Sequence, residues 1–192
     1  MESLVNLKMV SRILDINKLC IFSNDMWDDM TTVIVSLELI KFSGENNKTL
    51  IVSSRSWGEY ENYSKQRLLK IPDDEFFDII VIDGVPGRKS QSFEKLAKLC
   101  RIARRVIIID NIPGADVLWG RIFLVDGGER LGHTIDEFRV QYLWPFEVGP
   151  SGDVWKWGML PGGKQAIFNK IKDICFKVPV PAQSPIQEQK AG

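Results

Sequence analysis

The sequence predicts an α/β domain, a doubly wound and mostly parallel sheet with an antiparallel pair towards the C-terminus. Three observations predict it. Residues 77–82 (FDIIVI) and 106–109 (VIII) are short, almost unbroken apolar runs, the composition of strands covered on both faces. Between them Phe93, Leu96, Leu99, Cys100 and Ala103 recur at helical spacing. Runs and stripe together make a strand–helix–strand unit, whose crossover is right-handed by rule. A length of 192 residues suits one domain, large enough to bury a core without disulfides or metals.

Taken in order, residues 18–22 (KLCIF) read as the first strand. Ser23, Asn24 and Asp25 follow, all good N-cap types. Met26, Trp27, Met30, Val33, Ile34, Leu37 and Ile40 then form a helical stripe with acids in its first turn. The β-branched run 31–35 pulls the same segment towards strand; the longer stripe favours helix. Residues 44–47 are turn chemistry, and 48–54 (KTLIVSS) read as the second strand. A helix is expected over 57–69, ended by Pro72, Asp73 and Asp74.

The run 77–82 stops at Asp83-Gly84, and Ser90 or Ser92 caps the next helix. The run 106–109 stops at Asp110-Asn111, and a helix is expected over 115–125. Residues 138–143 and 154–159 are expected to pair antiparallel. Residues 179–192 (PVPAQSPIQEQKAG) read as a disordered tail, leaving 1–178 as the domain.

Charge narrows the partners expected. Lys plus Arg equals Asp plus Glu at 25 each, so net charge argues for neither nucleic acid nor an anionic membrane. The cluster Arg101, Arg104 and Arg105 sits where a helix should end and offsets its dipole. The three cysteines, Cys20, Cys100 and Cys175, have no metal-ligand or redox spacing. With an N-terminus lacking a signal peptide's apolar block, they suggest a reduced, cytoplasmic protein. No apolar run approaches the roughly 20 residues of a membrane span.

Asp83, Asp110 and Asn111 are the candidate chemistry. Ligands of open α/β sheets bind beyond the carboxyl ends of the strands, and two carboxylates with an amide oxygen suit Mg²⁺. The plainer reading is that these acids cap the following helices. His133, the only histidine, lies in a loop and is a candidate general base. Trp144, Trp155 and Trp157 either line an acceptor pocket or pack on a sheet face.

The runs FDIIVIDG and RVIIIDNIPGADVLWG, with KTLIVSSRSWGEY before them, resemble the Rossmann-like class I S-adenosylmethionine-dependent methyltransferases. Within these they look most like the cation-dependent catechol and caffeoyl-CoA O-methyltransferases, over roughly residues 48–120. The resemblance implies Mg²⁺ on Asp83, Asp110 and Asn111. It implies S-adenosylmethionine against Ser23, Asn24, Ser54, Arg55, Asp83 and Gly84, and a small-molecule hydroxyl acceptor as substrate. The family's catalytic lysine falls on Pro86, leaving Lys89 or Arg88 nearby. The chain has no glycine before Gly44 for the cofactor loop, and Ser53, Ser54 and Arg55 stand where the ribose-binding acid is expected. The alternative reading is therefore a catalytically inactive methyltransferase-like binding protein with a protein partner. A receiver-like domain phosphorylated on Asp83 lacks its lysine, and an NADP-type domain lacks GxGxxG.

Overall fold

The computed structural model describes residues 18–23, 48–53, 65–111 and 114–177. The expected helix over 26–40, the turn at 44–47 and the tail at 179–192 lie outside the described residues. So do Asn24, Ser54, Arg55 and most of the helix expected over 57–69.

The strands β1 (Lys18–Ser23), β2 (Thr49–Val52), β3 (Ile79–Asp83) and β4 (Arg105–Asn111) fall where the apolar runs place them. Among the described residues they join β7 (Cys175–Lys177) in a five-stranded sheet ordered β2-β3-β4-β1-β7, and every neighbouring pair is parallel. Side chains alternate across a strand, so the apolar residues of this sheet divide into two sets. Cys20, Leu50, Val52, Ile80, Ile82, Val106 and Ile108 join the main core with the helices. Leu19, Ile21, Ile51, Ile79, Val81, Ile107 and Ile109 point the other way and are buried as well. Burial on both faces is what a doubly wound sheet requires, and it explains why these runs are not interrupted by polar residues.

Helix α1 (Lys65–Leu68) is a single turn, whereas α2 (Gln91–Ile102) is the expected crossover between β3 and β4. Ser90 is its N-cap, accepting from the Phe93 backbone N–H at 3.2 Å. Its predicted stripe is buried throughout. Below it, Asp73 holds both Lys95 and Lys98; these two ammonium groups lower the Asp73 carboxyl's pKa. Helix α3 (Ala115–Asp126) ends at Gly127 in the left-handed region, a conformation that costs glycine least.

The antiparallel pair is present but shifted. Residues 138–142 are helical, within α4 (Ile135–Tyr142), and β5 (Leu143–Val148) pairs with β6 (Val154–Met159). The alternation Phe138, Val140, Tyr142 resembles a strand face, yet Val140 is 82% exposed while Phe138 and Tyr142 are buried. Those two are four residues apart, on one helical face. The N-cap settles the choice: the Thr134 hydroxyl accepts from the Glu137 N–H, and the Glu137 carboxylate accepts from the His133 N–H. Arg139 stacks over Trp157 at 4.7 Å and ties the β5–β6 ribbon to α4. Helix α5 (Gly163–Ile171) and β7 have no counterpart among the sequence expectations. β7 has three residues, too few for a periodic signal.

Candidate functional site

The carboxyl ends of β3, β4 and β1 carry the candidate residues. Asp83 ends β3 and is buried. It accepts a short hydrogen bond from the Ser53 hydroxyl at the end of β2, which sits beside it because Val52 is in register with Ile82. Gly84 turns the chain immediately after, at φ +77°, and still donates its N–H to the Ile109 carbonyl at 3.1 Å. The left-handed φ explains a glycine at this point.

Asp110 lies one strand away but belongs to the opposite face of the sheet. Asp83 is in register with Ile109, so it emerges on the Ile109 side. Asp110 follows Ile109 and emerges on the Ile108 side, where α2 and α3 lie. There Arg121 of α3 reaches it, with Nε at 2.7 Å and Nη2 at 2.5 Å from Oδ2. The sheet therefore separates the two carboxylates expected to share Mg²⁺, and one of them is held by a guanidinium. Among the described residues no group of three or more His, Cys, Asp or Glu is placed to hold a metal ion. The expectation of Mg²⁺ is corrected on these grounds.

Ser23 and Asn111 are brought together in backbone register. The ends of β1 and β2 are not: β4 and β3 lie between them, a span of about 14 Å at roughly 4.8 Å per strand. Dinucleotide-binding sheets ordered 3-2-1-4-5-6 place the first strand directly beside the second, which lets one ligand touch both ends. Here the first strand neighbours the fourth and the last, so the S-adenosylmethionine expected against Ser23 and the Ser54 segment loses its crevice.

Lys89 is exposed in the loop after β3. His133 is exposed, with Nδ1 3.2 Å from the Gly127 carbonyl. That carbonyl follows the C-terminus of α3, at the amino end of the sheet. There Lys18, Val125, Asp126, Glu129, Arg130 and Ile174 line a depression of about 210 Å³. His133 thus lies at the far end of the sheet from Asp83 and Asp110. Burial pushes the pKa of the Asp126 carboxyl up, against the N–H donors of Gly128 and Arg130.

Cys20 and Cys100 are buried, and all three cysteines are free. Burial pushes the Cys100 thiol up to about 12. It raises Cys20 as well, helped by a side-chain hydrogen bond with the Cys175 thiol on the neighbouring strand. Trp144 and Trp155 stand exposed on the ribbon, the latter at 62%. The pairing of Arg121 with Asp110 was missed from the sequence, although a signal exists: Arg121 is the one charged residue in the stretch 117–125. A lone cation in an apolar helix calls for a buried acid.

No family model matches the chain, and no curated protein matches it. Solved structures do. One is the Sulfolobus solfataricus SWI2/SNF2 ATPase core in complex with dsDNA, 14% identical with a TM-score of 0.65, matching 91% of this chain and 43% of that one. Another is the SWI2/SNF2 ATPase core domain of the same organism, 17% identical with a TM-score of 0.59, matching 93% of this chain and 43% of that one. The chain thus spans under half the length of either, and at these identities the likeness is one of fold.

That fold overturns the methyltransferase resemblance, together with S-adenosylmethionine, the hydroxyl acceptor and the inactive methyltransferase-like alternative. The short apolar runs ending in Asp-Gly and Asp-Asn belong to many parallel sheets. The strand order tells them apart. The expectation of no nucleic-acid partner is corrected in its reasoning: a similar fold occurs in a core solved with dsDNA, so a balanced net charge does not exclude such a partner. Net charge averages over the whole surface, whereas DNA meets one face of it. No helix among the described residues is long and apolar enough to cross a membrane.

Proposed function

We propose that this chain engages double-stranded DNA through an ATPase-core-type α/β lobe that does not itself hydrolyse nucleotide. The observation that carries the first part is the likeness, across 91% of the chain, to a core solved with dsDNA. The second part rests on chemistry. A phosphate-binding loop needs G-x-x-x-x-G-K-[ST] after its strand: glycines let backbone N–H groups approach the phosphates, and the lysine neutralises them. After β1 this chain reads Asn24-Asp25-Met26-Trp27-Asp28-Asp29-Met30-Thr31-Thr32. It holds no glycine and no lysine, and it sets three carboxylates where a triphosphate would bring further negative charge. These residues do not fit a nucleotide. On this reading residues 1–178 act as one domain with a short tail, and the three free thiols accord with a cytoplasmic location.

Two assays on one preparation test both parts. Fluorescence anisotropy with a labelled duplex should give saturable binding that weakens steeply with salt, as phosphate contacts require. Phosphate release from ATP should stay at background with and without DNA. Absence of binding at low salt would defeat the first part; DNA-stimulated release would defeat the second.

A further inference from the structure

We propose that the exposed face of α5 is the surface that docks the phosphate backbone of dsDNA. The inference rests on the reading that this chain binds dsDNA, and it names the element responsible.

The first observation is a charge asymmetry hidden by the balanced total. Residues 154–172 contain Lys156, Lys164, Lys170 and Lys172 and no Asp or Glu. Lys156 is committed to Glu147 on the facing strand. The other three lie on or directly after α5 and are exposed. Gly163, Ile167 and Ile171 are the buried residues of that helix, so its remaining surface faces outward.

The second observation is that helix chemistry accounts poorly for these lysines. An N-terminal turn favours acids, yet the first turn of α5 carries none, and Lys164 stands there instead. Its N-cap, Gly162, contributes no side-chain bond, so no side-chain acceptor offsets the positive end of the helix dipole. At the other end cations are welcome, but Arg130 already fills that place. It donates to the Lys170 carbonyl at 2.8 Å and grips Asp173 with two bonds of 2.9 Å. Asp173, the first acid after the helix, is thereby neutralised.

The third observation is the pattern. Lys164, Phe168 and Lys172 succeed each other at i, i+4 and i+8 and form one line along the helix. Phe168 is 57% exposed between the two cations. Beside them Gln165 donates to Asn169 at 3.2 Å, which orders two amides with further donors. A rise of 1.5 Å per residue sets Lys164 and Lys172 about 12 Å apart, close to the roughly 12 Å width of the major groove. Two ammonium groups at that spacing can meet phosphates on both sides of the groove. Lys170 points along the other flank, 5.6 Å from the Tyr142 ring centroid.

The test titrates the full chain into a labelled duplex across a series of salt concentrations. Each phosphate contact adds about 0.9 to the slope of log K against log salt. K164A/K172A should therefore lower the slope by about 1.8 and weaken low-salt binding about tenfold or more. K164E/K170E/K172E should abolish binding. K156A, which removes a lysine already paired, should leave the slope unchanged. Melting curves of K164A/K172A and K156A should match the parent's, because the altered side chains are exposed. Suppose the parent binds and K164A/K172A keeps its affinity and slope; then DNA is held elsewhere and the α5 assignment fails while the dsDNA reading stands. If the parent does not bind at low salt, both fall. Sedimentation of the same proteins covers the rival occupant: loss of a dimer with DNA binding retained would assign the face to a second copy and overturn the proposal.

Discussion

Replacing Arg121 by alanine should destabilise the fold more than any surface change near it. The guanidinium meets Asp110 Oδ2 at 2.7 and 2.5 Å, with side-chain exposures of 14% and 12% for the two partners. Truncating one member of a buried ion pair typically costs about 3–5 kcal/mol. Asp110 retains a little solvent contact, so the lower end applies, about 3 kcal/mol. In a chain of this size each kcal/mol moves Tm by about 2–4 °C, so far-UV circular dichroism should record a fall of about 6–12 °C. The double variant D110A/R121M removes both charges and refills part of the volume. It should recover a good part of the loss, because a shared pair makes the single effects non-additive by about 0.5–3 kcal/mol. A Tm for R121A within about 2 °C of the parent, or strict additivity in the double variant, would refute the claim that this pair is a buried unit.

Three further outcomes follow from local geometry. Ser90→Ala removes the cap of α2 and should cost about 1 kcal/mol, read as a Tm loss of about 2–4 °C. Gly128→Ala should cost more, since φ is +97° and a Cβ would stand 2.8 Å from the His133 Cα and 2.9 Å from the Gly132 carbonyl; a urea midpoint equal to the parent's would contradict it. The buried thiols bear on pH. Burial raises the Cys100 pKa from 9.0 to about 12, so the stability it contributes is complete below pH 9 and is lost as pH rises towards 12. Iodoacetamide at pH 8 should therefore leave Cys20 and Cys100 unmodified in the native protein and modify both after denaturation. Rapid native labelling of either, seen by mass spectrometry, would show that the core opens.

The parallel sheet was legible because β1, β3 and β4 are covered on both faces and carry almost nothing but apolar residues. The Ser90 cap and the α2 stripe were legible for the same reason: local chemistry and burial agree. The shift of β5 was not, because Phe138, Val140 and Tyr142 satisfy a period of two and, through Phe138 and Tyr142, a period of four. Only the Thr134 cap distinguishes the two. β7 escaped because its place is set by pairing Cys20 with Cys175, a contact across the whole chain. The candidate site failed at a more general point. Asp83 and Asp110 both end buried strands, as expected, but the face on which each emerges depends on register. Asp83 aligns with Ile109 and not with Asp110, and that offset of one residue sends the carboxylates to opposite sides.

Strand order carried the remaining information, and sequence patterns do not encode it. The runs that suggested a methyltransferase occur equally in a sheet ordered β2-β3-β4-β1-β7, where the first and second strands no longer share a crevice. One sequence feature nevertheless speaks to both families of function. A methyltransferase cofactor loop and a triphosphate loop both follow the first strand and both need glycine, because each brings backbone N–H groups against a ligand. The chain has no glycine before Gly44 and places Asp25, Asp28 and Asp29 in that segment. The same absence that weakened the first reading therefore argues against nucleotide hydrolysis in the second. What the chain offers instead is a helix, α5, on or directly after which Lys164, Lys170 and Lys172 are exposed with no acid among residues 154–172. For such a helix, contact with a polyanion asks only for lysines at the right spacing.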